Sequence, residues 1–170
     1  VLNHRLFEQT INDIQRKGKY LVIFFKKDIL LIHLRMTGQF VFLSSISSHL
    51  KETDKHIHVV FKFKNGSELW YRDIRKFGRI QLLTLSEFKK HTSLKKLGLD
   101  PFGSDYTLEN FSSALKNSSR NIKALLLDQH FIAGLGNIYC DEVLFQAGIY
   151  PLRQAYLLTL TEYQRLYHVI

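Results

Sequence analysis

Residues 123–151 read KALLLDQHFIAGLGNIYCDEVLFQAGIYP. An apolar run is followed by Asp128, then by two closely spaced glycines, Gly134 and Gly136, and then by a second apolar run closed by Gly148. This pattern predicts a helix over 121–127, a tight link, and a helix over 135–146 stopped at Gly148. A helix N-terminus carries unpaired N–H groups and the positive end of the helix dipole. Glycines let an anion approach the backbone, and the Asn137 amide adds a donor. Gly134, Gly136 and Asn137 are therefore candidate phosphate-binding residues. A plain helix–helix turn, with glycine chosen for its backbone freedom, is the alternative. The stretch is not a dinucleotide fingerprint, because no third glycine is present and no strand precedes it.

Outward from this stretch, two more helices are expected. One covers 107–116, with Thr107 as N-cap and Leu108, Phe111 and Leu115 on one stripe. The other covers 161–170 and ends without a cap, as a truncated helix would. Before Asp100-Pro101 the character changes. Residues 5–16 read as a short strand or helix. Residues 20–25, 28–36, 39–43, 56–63, 67–72 and 78–83 have strand composition, and Asn65-Gly66 is a two-residue hairpin turn. Alternation places Ile57, Val59, Phe61 and Phe63 on one face. Ser86 is expected to cap a short helix over 86–91, and 44–55 to form an exposed loop. The fold class is α+β: a β-rich domain over 1–100, then an all-helical domain over 101–170.

Composition narrows the class. The chain has 170 residues, 45% of them hydrophobic and 23% charged, which suffices for a packed core and excludes wholesale disorder. Its 9 Gly and 2 Pro exclude a fibrous protein, and its one cysteine, Cys140, excludes a disulfide framework. No apolar run reaches membrane-spanning length, and no signal peptide is visible. The lone thiol fits a reducing, intracellular setting. The net charge is +9. Residues 1–100 hold 19 basic and 9 acidic side chains, whereas 101–170 hold 5 and 6. A basic part of this kind favours a polyanionic partner.

Two further segments carry candidate chemistry. In YRDIRKFG (71–78), Arg72, Arg75 and Lys76 stand beside Phe77 in a turn between strands. An arginine can bind a phosphate or a base edge, and an aromatic ring can wedge between bases. Asp73 is placed to orient one of the arginines. In HLRMTG (33–38), Met36 sits where a strand ends and Gly38 turns the chain. A methionine beside Arg35 at a turn is a candidate exposed wedge, with a core methionine as the alternative; for 71–78 the alternative is a solvated turn with Phe77 in the core. His56 and His58 have no third ligand at metal-site spacing. Cys140 has no His or Asp partner, and the lysines at 89, 90, 95 and 96 read as a solvated face.

HLRMTG, RDIRKFG and the 123–151 stretch, in that order, closely resemble bacterial formamidopyrimidine-DNA glycosylase. The resemblance runs from Lys17-Gly18-Lys19 to the last helix. It implies a partial N-terminal β-sandwich followed by a helical domain with a helix–two-turn–helix. It implies DNA base-excision repair: removal of oxidised purines (8-oxoguanine and formamidopyrimidines), then β- and δ-elimination at the abasic site. It assigns Met36, Arg75 and Phe77 as the trio that fills the void left by the flipped nucleotide, and Lys19, His33, Gly134, Gly136 and Asn137 as phosphate contacts. The trio points to the purine-lesion branch. The implied partner is double-stranded DNA carrying an oxidised purine or an abasic site. The protein is expected to be monomeric, cytoplasmic and nucleoid-associated in a bacterium, with no membrane contact.

The departures are equally specific. The family nucleophile is an N-terminal proline followed by an acidic general acid/base, whereas this chain begins Val1-Leu2-Asn3. The family's C-terminal zinc finger has no counterpart either, so no catalytic residue, metal or cofactor is expected in these residues. Thr37 stands where some members carry an acidic residue near the damaged base. The resemblance thus implies an internal piece of the enzyme, inactive alone. Two other readings remain. One is a non-catalytic protein that binds abasic or damaged DNA. The other is a basic RNA-binding domain, which would need stacking aromatics on a sheet.

Overall fold

The structure, a computed structural model, describes residues 2–44 and 54–170. Most of the loop predicted over 44–55 lies outside the described residues. The chain forms two compact units. The first comprises Val1–Gln15 and Tyr20–Phe88; the second comprises Arg16–Lys19 and Lys89–Ile170.

The first unit opens with helix α1 (Leu2–Leu6). Among the described residues seven strands follow: β1 (Asp13–Lys17), whose last two residues fall in the second unit, β2 (Tyr20–Phe24), β3 (Asp28–His33), β4 (Gly38–Leu43), β5 (Ile57–Lys62), β6 (Glu68–Asp73) and β7 (Arg79–Thr84). They make two antiparallel sheets, ordered β1-β2-β3-β7 and β4-β6-β5. β3 is a near-continuous apolar run and is buried along Asp28–Ile32. Ile23, Leu30 and Ile32 pack against Phe40 and Phe61 of the other sheet, so the unit is a β-sandwich. Arg5 and Gln9 both donate to the buried Asp28 carboxylate and tie α1 to the start of β3.

Two details differ from the sequence reading. The alternation along β5 breaks at a bulge: Ile57 pairs with Arg72, but Val59 pairs with Tyr71. His58 is the extra residue, so Ile57 does not share the face of Val59 and Phe61. Its Nε2 lies 2.8 Å from the Asp73 carbonyl oxygen. The short helix α2 (Leu85–Lys90) is capped by Thr84 instead of Ser86. The Thr84 hydroxyl accepts from the Glu87 N–H, and the Glu87 carboxylate accepts from the Thr84 N–H.

The second unit contains α3 (Thr92–Lys95), α4 (Leu108–Lys116), α5 (Ile122–Leu126), α6 (Asn137–Ala147), a 3₁₀ turn (Ala155–Leu157) and α7 (Leu160–Val169). Thr107 caps α4 and Asn121 caps α5, each through its side-chain oxygen. Gly148 stops α6. The core gathers one face of every long helix: Phe111 and Leu115, Ile122 and Leu126, Cys140 and Leu144, Tyr163 and Leu166. Between α5 and α6 the chain makes two turns, over 127–136.

Candidate nucleic-acid interface

In the first unit, two crossovers meet at one end of the sandwich. Residues 34–37 carry the chain from β3 to β4, and residues 74–78 carry it back from β6 to β7. The register opposes His33 to Arg79 and Gly38 to Asp73. Sheet pairing therefore brings together loops almost forty residues apart in sequence. Met36 stands on the first loop, with 72% of its surface exposed; Phe77 stands on the second, with 52% exposed. The Arg75 guanidinium links them. Its Nη1 lies 3.2 Å from the Met36 sulfur, and its Cζ lies 4.6 Å from the centre of the Phe77 ring. Two large apolar side chains and a cation thus share one exposed tip.

The tip is rigidly supported from below. Asp73 is fully buried at the end of β6. One carboxylate oxygen accepts from the Thr37 hydroxyl and, at 3.2 Å, from the Arg75 N–H. The other accepts from the Gly78 N–H at 2.8 Å and the Tyr71 hydroxyl at 3.0 Å. Burial alone would raise this carboxyl. The hydrogen bonds from Thr37, Gly78, Tyr71 and Arg75 outweigh burial and hold it well below the usual carboxylate range. Tyr71 moves the opposite way: burial, then its bond to Asp73, pushes the phenol up to about 12. Sequence reading has Asp73 orient one of the arginines; in the structure it accepts from the Arg75 backbone N–H. Thr37 acts here as a tie between the two loops, since its hydroxyl also accepts from the Arg75 N–H at 3.1 Å.

The backbone is left-handed just before each tip residue. Arg35, just before Met36, and Lys76, just before Phe77, both have φ of 57°. Left-handed backbone costs an L-residue about 1–2 kcal/mol. The Asp73 network and the sheet register hold this strain. Gly78 is obligatory for packing: a Cβ there would fall 1.8 Å from the Tyr71 hydroxyl oxygen.

His33, at the end of β3, belongs to the first unit. Its ring meets Tyr20 edge-on at 4.8 Å, and its Nδ1 accepts from the Arg35 N–H at 3.0 Å.

The second unit brings together Lys19, Gly134, Gly136 and Asn137. The turn of residues 16–19 belongs to this unit, although the flanking residues belong to the first. A Cβ added to Gly136 would lie 3.6 Å from the Lys19 ammonium nitrogen. Gly136 is the N-cap of α6 and no side chain caps that end. Asn137 is its first residue. An ammonium group, a glycine and an uncapped N-terminus of an eleven-residue helix thus share one spot. Gly134 has φ of 103°, open to glycine alone among ordinary residues.

Gln129 is the residue that sequence reading missed. Its side-chain oxygen accepts from the Gly134 N–H at 3.0 Å, and its nitrogen donates to the Leu135 carbonyl at 2.9 Å. It fixes the two-turn link as a side-chain staple. A glutamine in a polar link gives no sequence signal of this. Arg16 was missed too: it pairs with Asp100 at 2.7 Å and stacks over Phe102 at 5.0 Å.

Among the described residues, no group of three or more His, Cys, Asp or Glu side chains converges on a metal position. The residues present therefore do not fit a zinc site. Cys140 is buried, and burial pushes its thiol up to about 11, which leaves little thiolate. Among the described residues, no helix is long and apolar enough to cross a membrane.

Comparison with known proteins covers both units. A family model described as the formamidopyrimidine-DNA glycosylase N-terminal domain matches residues 1–80, and that family's H2TH domain matches residues 97–170. A formamidopyrimidine-DNA glycosylase of Oceanobacillus iheyensis is 43% identical over 158 residues, covering 93% of this chain and 55% of the relative. One from Streptococcus agalactiae is 44% identical, covering 91% of this chain and 55% of the relative. The Lactococcus lactis protein solved with abasic-site DNA is 34% identical with a TM-score of 0.88, covering 99% of this chain and 60% of that one. The same protein solved with Fapy-dG DNA gives the same score. The chain spans little more than half the length of the curated relatives it matches. With both units matched in order and at this identity, the chain belongs to the formamidopyrimidine-DNA glycosylase family.

Proposed function

We propose that this chain supplies the damage-recognition parts of a DNA glycosylase and abasic-site lyase acting on oxidised purines. The observation that carries this reading is the exposed tip of Met36, Arg75 and Phe77 held by Asp73. A glycosylase must take its target nucleotide out of the stack, which leaves a void and an unpaired partner base. Met36 and Phe77 offer apolar bulk to the void, and Arg75 offers fixed donors to the edge of the orphaned base, cytosine for a purine lesion. Lys19, Gly136 and Asn137 offer an ammonium, an open backbone and a helix N-terminus to a phosphate. Gly134 shapes the loop that presents them. His33 is a further candidate phosphate contact. The relatives solved with abasic-site and Fapy-dG DNA support the same partner.

The family's amine nucleophile attacks the sugar to form a Schiff base. No counterpart of that proline or its acidic neighbour stands among these 170 residues. The 170 residues alone are therefore expected to bind abasic duplex selectively and not to cleave it. The test is borohydride trapping, alongside affinity, on a duplex with 8-oxoguanine or an abasic site opposite cytosine. Selective binding without a covalent adduct is expected. An adduct would place an amine nucleophile within this stretch and overturn the division of labour. Equal affinity for damaged and undamaged duplex would overturn the recognition reading.

A further inference from the structure

We propose that Met36 is a site of reversible oxidation by peroxides, and that its sulfoxide, held by the Arg75 guanidinium, disables the tip. The sequence has two sulfur atoms, in Met36 and Cys140. Their surroundings are opposite. Cys140 is fully buried in the helical core and its thiol is held neutral, so it lacks both access and thiolate. Met36 is 72% exposed, in the turn between β3 and β4. A thioether needs no ionisation to react, only access.

The step balances without any group from the protein. A sulfur lone pair attacks one oxygen of the peroxide and the O–O bond breaks. Sulfur loses two electrons and becomes a sulfoxide, while the peroxide is reduced to water or an alcohol, its own proton moving to the leaving oxygen. A dithiol-dependent methionine sulfoxide reductase reverses the change.

The second observation concerns what waits beside the sulfur. Arg75 Nη1 already lies 3.2 Å from it, where an N–H meets only a weak acceptor. A sulfoxide oxygen at the same place is a strong one. The new bond competes for the guanidinium that stacks over Phe77 and that, on the reading above, must face the orphaned base. The sulfoxide also turns an apolar wedge polar, and a polar group pushed into a base stack loses its hydration. The second half of the proposal rests on the wedge reading of this tip; the first half does not.

The experiment treats the 170-residue chain with hydrogen peroxide. Peptide mass mapping reads the site, side-chain NMR of ¹⁵N-arginine reads Arg75, and fluorescence anisotropy reads affinity for an abasic duplex. One added oxygen on the Met36 peptide is expected, with Cys140 unmodified and the Arg75 resonance shifted. Affinity should fall about tenfold, the size expected for drawing one donor away from a base edge, and return after treatment with reductases for both sulfoxide epimers. Met36→Leu, whatever its starting affinity, should lose the response to peroxide. A Met36 that resists peroxide under conditions that fully oxidise a free methionine peptide would overturn the proposal. So would oxidation that leaves both Arg75 and affinity unchanged. If the untreated chain shows no preference for the abasic duplex, the wedge reading fails. The mass and the Arg75 resonance then still decide the modification.

Discussion

Asp73 concentrates more of the candidate site than any residue that touches solvent. It gathers four donors, three from the two loops and one from Tyr71 on β6, and Asp73→Asn would turn an amide N–H toward at least one of them. Leaving a buried donor unpaired costs about 1–3 kcal/mol, so Asp73→Asn should lower stability by roughly 2–3 kcal/mol at neutral pH. The pH dependence has a definite sign. A carboxyl held below its ordinary value of 3.8 stabilises fully above that value, and the gain fades as pH falls toward the lower, folded value. The stability gap between wild type and Asp73→Asn should therefore narrow as pH drops below about 5. Urea titrations of both proteins from pH 7 to pH 3 test this, and a constant gap would refute it. The family resemblance could group Met36, Arg75 and Phe77 as one trio. It could not see that one buried carboxylate joins their loops, because that depends on the register of β3 with β7 and of β4 with β6.

At the scale of elements, local signals were legible wherever one residue type does one job. Thr107 caps the helix that follows it and Gly148 ends α6. The hairpin turns where Asn65-Gly66 stands, but its loop has one residue more than the two expected: the Phe63 N–H donates to the Ser67 carbonyl, and the Gly66 N–H donates to the Phe63 carbonyl. The failures came where two local answers compete. Thr84 and Ser86 are both hydroxyl residues, and only Thr84 has Glu87 three positions on to complete a reciprocal cap. The bulge at His58 is invisible to period-two reading, since Ile57, Val59 and Phe61 still alternate on paper. The start of α7 repeats the reciprocal cap: the Thr159 hydroxyl accepts from the Glu162 N–H, and the Glu162 carboxylate accepts from the Thr159 N–H at 2.7 Å. Arg153 also bonds Glu162, at 2.5 Å. Because α7 buries Tyr163 and Leu166 in the core of its unit, its first turn matters to the whole unit. Thr159→Ala should cost about 1 kcal/mol, read as a lower urea midpoint with an unchanged slope. A loss within error would show that Arg153 and packing hold the turn without the cap.

Over the whole molecule, the two kinds of candidate contact should separate under salt. The chain carries +9, and DNA binding that releases counterions weakens linearly in log affinity against log salt. Lys19→Ala should reduce that slope by about one and weaken damaged and undamaged duplexes alike. Arg75→Ala should instead flatten the preference for cytosine opposite the lesion. Equal losses in Arg75→Ala for every opposite base would remove the base-reading role. The division of charge at residue 100, plain in the sequence, does not follow the units, because Arg16, Lys17, Lys19 and the lysines at 89, 90, 95 and 96 all fall in the second. That unit is stitched from two stretches of chain, and the stitching has a cost in time. At ~5–20 residues per second, Lys19 leaves the ribosome on the order of ten seconds before Gly136 is made. The helical unit cannot close until its earliest-made strip finds a loop made more than a hundred residues later. A gene piece starting at residue 89 would therefore yield helices without the lysine that overlies their glycine, and any transplant of this unit must carry residues 16–19 with it.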